Sequence, residues 1–450
     1  MFPNPQDALP LPPHPSLDRY RKIAKALVKA CKSGDPESVR KWSEEWVEKL
    51  VSLSGLTITP HLPVHIQTWT DELEFFARRK LSGGEPNGRK CALIDAQFVI
   101  ARSHGFESWP KFVKHLLALT RKTSLVSKFE AAADAIVVGD VPALGQLLRE
   151  EPDLVRARSM REHGATLLHY GSANGVEGYR QKTPQNIVEI AELLLRAGAE
   201  IDATANVYGG GCTTLGLAAT SLHPERAGVQ EELLRTLLEC GAKIDQPASA
   251  GNRQSIVMAC LANGRPKAAE FLAGRGARLD LASAAALGRL DLVESYFTGD
   301  GTLKPDATRA QMNEGFVYAC EYGRSAVVEF LIEKGVDRST NGGTGQTALH
   351  WAAIGGHQDI VRLLLKHGAP LEARNTYGAT VLEQALWSAE NGGDPNQYIA
   401  ILEALIKAGS KLPERHGPIN TKLDEWLDQQ GSHAEPAWYW QGEKPPPGKR

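Results

Sequence analysis

The chain is 450 residues long, 42% hydrophobic and 23% charged, with a net charge of −2 at pH 7. That balance is ordinary for a water-compatible protein and argues against a dedicated surface for nucleic acid or acidic ligands. The length exceeds what one core organises, so several domains or an extended repeat array are expected. Residues 1–125 carry 19 Lys+Arg against 13 Asp+Glu and the rest 32 against 40, a mildly basic front before a mildly acidic remainder. Six cysteines, Cys31, Cys91, Cys212, Cys240, Cys260 and Cys320, stand singly without a C-x-x-C pair. They are expected to be reduced and buried, forming neither a disulfide framework nor a zinc site. The opening MFPNPQDALPLPPHP lacks the basic and apolar regions of a signal peptide, and no 18 apolar residues run together, so a soluble cytoplasmic chain without membrane contact is expected.

Residues 1–15 hold six prolines and are expected to form an extended, disordered leader, with a proline-rich ligand for a partner's aromatic groove as the alternative. A helical module follows over 16–125. Leu17, Tyr20, Ala24, Leu27, Val28 and Cys31 share one helical stripe that Gly34 ends. Asp35-Pro36 opens a second helix, with Val39, Trp42, Trp46 and Leu50 at helical spacing, the material of a core rather than of a cofactor box. Further helices are predicted over about 69–80 and 90–103. The phrase VIARSHGFESWPKFVKHLLAL (99–119) places a helix stop at Gly105, a cap at Ser108 and a last helix through Leu119. Lys111, Lys114, Arg121 and Lys122 make a small basic edge, read as a solvated helix face rather than a nucleic-acid contact.

Beyond residue 125 one phrase recurs: a leucine-rich half-helix, a basic or polar pair, then Gly and a small residue. It appears as LLLRAGA (193–199), LLECGA (237–242), FLAGRGA (271–277), FLIEKGV (330–336), LLLKHGA (363–369) and LIKAGS (405–410). Its glycines, Gly198, Gly241, Gly276, Gly335, Gly368 and Gly409, are spaced by 43, 35, 59, 33 and 41 residues. A unit of about 33 residues with insertions accounts for these intervals, and the longest hides a shortened unit containing AAALGRLDLVESYF (284–297).

Gly345-Gln-Thr-Ala-Leu-His350-Trp-Ala-Ala353 followed by Gly356-His-Gln-Asp-Ile-Val-Arg-Leu-Leu-Leu365 resembles the consensus repeat of the ankyrin family. The residues explain themselves physically: Thr347 caps a first helix with His350 one turn on, Ala352 and Ala353 let neighbouring helices approach, and Ile360, Val361, Leu364 and Leu365 form a second helix's buried stripe. Gly356 and Gly368 end the two helices. Gly164-Ala-Thr-Leu-Leu-His169 is similar, and Thr213–Ala219 partly so. The resemblance implies an all-α fold, an array of about eight stacked helix pairs over 127–412 with β-turn tips. Phe129–Arg158 reads as the opening cap, and Asn420–Leu427 as a closing helix covering the last layer with Leu423, Trp426 and Leu427. The segment 413–450 is that cap and a tail whose end, GEKPPPGKR, is expected to be disordered. The 99–119 phrase resembles a segment that precedes the repeats of bacterial ankyrin proteins, which implies a bacterial origin and no activity.

No P-loop, G-x-S-x-G elbow or H-E-x-x-H occurs, and Gly342-Gly-Thr-Gly-Gln-Thr347 lacks a lysine and falls where a repeat's turn belongs. His61 and His65 stand four apart, but Pro60 and Pro63 disfavour a helix there, so no metal, cofactor or catalytic residue is expected. Family resemblance places partner contacts on the turn tips and the open side of each first helix. Those positions hold Glu321 and Tyr322, then Thr344, Gln346 and Ile354, then Tyr377, Ala379 and Trp387. A second candidate is the pair of long insertions, 175–186 and 221–230, with Tyr179, Arg180, Gln181, His223 and Glu225, next to the Tyr208-Gly-Gly-Gly211 turn. The leading expectation is a monomeric, non-enzymatic scaffold for another protein. The alternatives are a regulatory protein binding a small polar ligand at the insertions and an enzyme or effector with a catalytic front module.

Overall fold

The computed structural model describes residues 4–35, 37–54, 62–82, 91–245, 254–391 and 394–434. The chain divides into two compact units, Met1–Ala277 and Arg278–Arg450.

The first unit opens with five helices, α1 (Leu17–Lys32), α2 (Glu37–Ser54), α3 (Leu62–Leu81), α4 (Leu93–Ser103) and α5 (Trp109–Leu119). Their apolar stripes converge on Tyr20, whose ring meets Trp46, His104 and Phe112 edge-on at centroid distances of 5.7, 5.3 and 4.9 Å. Val39, Trp42, Trp46 and Leu50 are all buried in that core. Helix α3 begins at Leu62, so Pro63 does not prevent a helix through His65: it falls in the first turn, where its missing N–H has no partner to lose. His61 and the tail 442–450 lie outside the described residues.

Two further expectations are corrected in this module. Cys31, at the end of α1, and Cys91, just ahead of α4, are joined as a disulfide with Cα atoms 5.8 Å apart. Sixty residues separate them in sequence, and only the packing of α1 on α4 brings them together. The leader from Asn4 is also packed. Leu9 is buried, its N–H donates to the Ser103 carbonyl (2.7 Å), and its carbonyl is 2.9 Å from His104 Nδ1. A proline-rich segment has few N–H groups to satisfy, and here it supplies apolar cover instead.

Antiparallel helix pairs complete the unit: α6 (Leu125–Val138) with α7 (Val141–Glu150), α8 (Leu167–Tyr170) with α9 (Ile187–Arg196), α10 (Thr214–Thr220) with α12 (Gln230–Glu239), and α13 (Ile256–Ala262) with α14 (Pro266–Gly274). The insertion before α12 forms a short helix, α11 (Leu222–Arg226). A turn tip is visible as β1 (Thr204–Ala205) paired antiparallel with β2 (Cys212–Thr213).

The second unit repeats the motif: α15 (Leu281–Ala286) with α16 (Leu290–Ser295), α17 (Arg309–Glu321) with α18 (Ser325–Glu333), α19 (Ala348–Ile354) with α20 (Gln358–Lys366), and α21 (Val381–Glu390) with α22 (Pro395–Ala408). Helix α23 (Thr421–Gln429) follows, with Leu423 and Leu427 buried against the last pair. The short strands β3 (Arg415–His416) and β4 (His433–Ala434) pair in parallel beside it.

First helices stack on first helices, α15 on α17, α17 on α19 and α19 on α21. The approach is close at Gly315, where a Cβ would sit 2.8 Å from Ala285 Cβ and 3.0 Å from Ala282 Cα. The Thr-x-x-His signature closes as a reciprocal cap: Thr347 N–H donates to His350 Nδ1 (3.2 Å) while His350 N–H donates to Thr347 Oγ1 (3.5 Å). His350 Nε2 reaches the Ala379 carbonyl of the next turn at 3.4 Å, which ties successive repeats together.

Candidate functional site

The insertion 175–186 was expected to project Tyr179 and Arg180 toward a partner. The structure corrects this, because Arg180 is 5% exposed and belongs to a buried charge network. Helix α6 presents Glu130 and Asp134 one turn apart. The turn before α8 supplies Arg161 and His163, and the insertion supplies Glu177, Tyr179 and Arg180 through a 3₁₀ turn at Gly178–Arg180. Arg180 donates from Nη1 to Glu130 Oε2 (2.7 Å) and from Nε to Asp134 Oδ1 (2.8 Å). Arg161 donates from Nη1 to Glu130 Oε1 (2.7 Å) and from Nη2 to the Tyr179 hydroxyl (3.2 Å), and its Nε lies 2.7 Å from Glu177 Oε1.

Two buried carboxylates thus face two buried guanidiniums. Burial alone would raise the Glu130 carboxyl, but Arg161 and Arg180 overcome it and hold it at about 2. Glu177 is likewise depressed by the same two cations against its own burial. His115 of α5 adjoins this network with Nε2 3.9 Å from Glu130 Oε1, and burial lowers it to about 4, so it stays neutral at pH 7. Each long cation also lies over a ring, Arg161 over Phe106 (5.5 Å) and Arg180 over Tyr170 (5.7 Å).

This arrangement joins segments that lie far apart in sequence, two guanidiniums bridging three carboxylates. It fastens the insertion to α6 and both to the front module, helped by an Arg102–Glu162 ion pair and by Glu162 N–H donating to the Gly105 carbonyl (2.8 Å). The leader seals it: the Gln6 carbonyl lies so near Gly178 that a Cβ there would approach it to 2.5 Å. A cleft of about 550 Å³ remains between Pro10–Pro15 of the leader and α6, with Val137 and Val138 on its wall and Glu130, Arg161, Tyr179 and Arg180 on its floor.

The other insertion residues are more modestly engaged. Gln181 Nε2 donates to the Val176 carbonyl (2.8 Å), and Glu225 pairs with Arg265 at 2.6 Å. His223 is half-buried and lowered by that burial. The two insertions touch where Gln185 Nε2 donates to the Ala227 carbonyl (3.1 Å). Tyr208 is exposed, and its hydroxyl donates to Asn174 Oδ1 (2.8 Å).

In the second unit the open side of the first helices is a continuous candidate. Helices α17 and α19 end on matching turns, Glu321-Tyr-Gly-Arg324 and Ile354-Gly-Gly-His357, which puts Glu321 in register with Ile354 and Tyr318 with Trp351. Counting from the caps Thr347 and Thr380, Trp387 continues the first of these columns. The core-facing neighbours, such as Phe316, Ala319, Ala352, Ala353 and Ala385, are buried, and the column residues are not. Trp387 is 56% exposed and Tyr377, on the preceding turn tip, 78%. Gln346 is corrected as a contact: it is buried and hydrogen-bonded with the Thr344 hydroxyl inside the turn. Tyr322 stacks with Tyr318 at a centroid distance of 6.4 Å.

Tyr318 and Trp351 were not singled out in the sequence. Their shared position, five residues ahead of Gly323 and Gly356 at the ends of the two first helices, is the signal that identifies them. For Glu130 and Glu177 no local signal exists. Among the described residues no group of three or more His, Cys, Asp or Glu is arranged to hold a metal ion, and no helix is long and apolar enough to cross a membrane.

Known proteins add the following. A family model for ankyrin repeats, in three copies, matches residues 316–415. The ankyrin repeat and KH domain-containing protein mask-1 of Caenorhabditis elegans is 32% identical over 221 residues, 46% of this chain and 8% of that protein. The E3 ubiquitin-protein ligase hecd-1 of the same organism is 37% identical over 87 residues, 19% of this chain and 3% of that one. The chain thus spans under a tenth of either relative. The human ASB11 ankyrin repeat domain aligns with 64% of this chain and 99% of its own at 20% identity and a TM-score of 0.32. With the capped, Gly-terminated helix pairs and the matched residues together, the chain carries ankyrin repeats over residues 316–415.

Proposed function

We propose that the chain is a non-catalytic scaffold that holds one protein partner against the open side of the first helices in its second unit. The observation that carries this reading is the exposed Trp387 on the open side of α21, with the exposed Tyr377 on the preceding turn tip and the partly exposed Tyr318 and Trp351 on the open side of α17 and α19. Large exposed aromatics on rigid, capped helices are the residue types that dominate binding hot spots, and they cost little entropy to order. Ankyrin repeats generally serve as binding surfaces, in agreement with this assignment. The insertion edge around Tyr208 is the second reading, favoured by its exposed phenol and the nearby leader cleft, which is large enough for a small polar ligand.

The test is site-specific photo-crosslinking of the intact chain in native extract, with a photoreactive phenylalanine replacing Tyr377, Trp387 or Tyr208 in turn. A protein adduct of one defined mass from positions 377 and 387, absent from 208, is expected. Adducts from 208 alone would move the site to the insertion edge.

A further inference from the structure

The leader lies on the first unit in the manner of a bound peptide. After the 3₁₀ turn Pro5–Asp7 the chain continues extended at Ala8, and Ala8, Leu9 and Pro10 are buried. Leu9 is gripped on both sides of its backbone by consecutive residues at the end of α4. Its N–H donates to the Ser103 carbonyl (2.7 Å), and its carbonyl faces His104 Nδ1 (2.9 Å). Its side chain joins the core of the front module and is 1% exposed. Ala8 fits against Gly105, and Pro10 has no N–H that would need a partner there. Main-chain bonds for grip and buried side chains for selectivity are the means by which a protein surface recognises an extended peptide.

Beyond this seat the fit is incomplete. Pro10 to Pro15 form one side of the cleft of about 550 Å³ and leave it unfilled, while Leu119, Val137 and Val138 line it from α5 and α6. Val138 is 68% exposed, apolar surface that the short proline rings do not cover. Pro13, His14 and Ser16 are exposed, so the stretch leading into α1 acts as a tether. A segment that matched Ala8 and Leu9 and then carried a bulky apolar side chain would remove more of this surface from water than the leader does.

We propose that the seat of Ala8 and Leu9, together with the cleft that continues it, is a receptor for an extended segment of a protein partner, and that the leader is its occupant in cis. The partner segment places a small residue and a leucine where Ala8 and Leu9 lie, and a bulky apolar side chain in the cleft. The leader fills the receptor less completely and holds it through the high effective concentration that its tether provides. Binding in trans is therefore weakened by the fraction of chains whose leader is seated. This site belongs to the first unit and stands or falls independently of the groove of the second.

The experiment is panning of a random twelve-residue phage-displayed peptide library on the intact chain and on the chain lacking residues 1–15. Enriched synthetic peptides are then titrated against both, and against an intact chain locked shut by Ala8→Cys with Gly105→Cys. A Cβ at position 105 would lie 3.4 Å from that of Ala8, close to the spacing of about 3.8 Å across a disulfide. Gly105→Cys alone carries the same backbone strain without the tether, and thermal melting of each variant confirms the fold. The expected peptides share a small residue followed by leucine and then a bulky apolar residue. They bind the shortened chain at least about tenfold more tightly than the intact one and lose binding to the locked one. Peptides without that pattern, equal affinity for the locked and intact chains, or no enrichment on either chain would overturn the receptor. The intact and locked chains both keep the leader, so their comparison decides the matter even where the deletion fails to fold.

Discussion

Arg180 lies across two carboxylates set one turn apart on α6, taking Glu130 through Nη1 at 2.7 Å and Asp134 through Nε at 2.8 Å. The two partners differ in burial, Glu130 being nearly enclosed while Asp134 is largely exposed. Removing one member of a buried pair strands the other, at a cost of about 3–5 kcal/mol. Arg180→Ala and Glu130→Ala are each expected to destabilise the first unit by about that amount, and Asp134→Ala by under about 1 kcal/mol. Urea unfolding of the three variants checks the ranking. A double Arg180→Ala, Glu130→Ala variant should cost less than the sum of the singles.

Acid should weaken the same unit before any carboxylate titrates. Burial lowers His104 to about 3 and both His115 and His169 to about 4. Between those values and the ordinary 6.5, the unfolded chain binds protons that the folded chain refuses, so stability falls as pH falls through that window. At pH 5 the loss is on the order of 2 kcal/mol for each buried histidine. Below about pH 4 the depressed Glu130 adds to it, its contribution vanishing as pH approaches 2. Urea midpoints measured at pH 7.5, 6 and 5 should decline steadily, and His115→Asn should flatten the slope. A midpoint independent of pH over that range is incompatible with buried neutral histidines.

The Cys31–Cys91 bond closes a loop of 60 residues in the front module. Chain-entropy arguments assign a loop of that size about 4 kcal/mol. Reductant is therefore expected to lower the denaturation midpoint of the first unit and leave the second unchanged. Thiol titration of the unfolded, unreduced chain should count four free cysteines, with Cys240 reacting first in the native state because it alone of the four is exposed.

Close helix approach in the second unit has its own test. A valine at Gly315 brings branched carbons onto Ala285 and the Ala282 backbone, so Gly315→Val should cost about 1–3 kcal/mol and lower the melting temperature. Gly343→Ala serves as the control, since a Cβ there meets nothing within 4 Å.

The parts legible in the sequence are those encoded by local period. The stripe Leu17–Tyr20–Ala24–Leu27 and the Thr347–His350 cap each declare themselves within two turns of helix, because propensity, spacing and capping agree there. The column of Trp387 and Ile354 was readable for the same reason, one consensus repeat fixing which side of each first helix stays open. Arg180 was not, because nothing near it in sequence distinguishes an exposed arginine from one that finds Glu130 fifty residues away. Cys31 and Cys91 show the same limit, and so does the leader, whose prolines describe its backbone and say nothing of the surface that receives Ala8 and Leu9. The helix containing His65 was missed through a rule applied without position: Pro63 blocks a helix interior and suits a helix start.

The leader changes how the chain can acquire its structure. In the repeats, contacts reach one neighbour along, a low contact order that favours rapid folding by propagation. The leader instead joins Leu9 to Ser103 and Gln6 to Tyr208, the last a separation of 202 residues. During synthesis its partner surface is unfinished until the turn bearing Tyr208, just ahead of α10, has left the ribosome, while later pairs need only their predecessor. The first unit therefore closes by a slow, long-range step and the second by a fast, local one, so refolding from denaturant should show two kinetic phases, with deletion of residues 1–15 removing the slower.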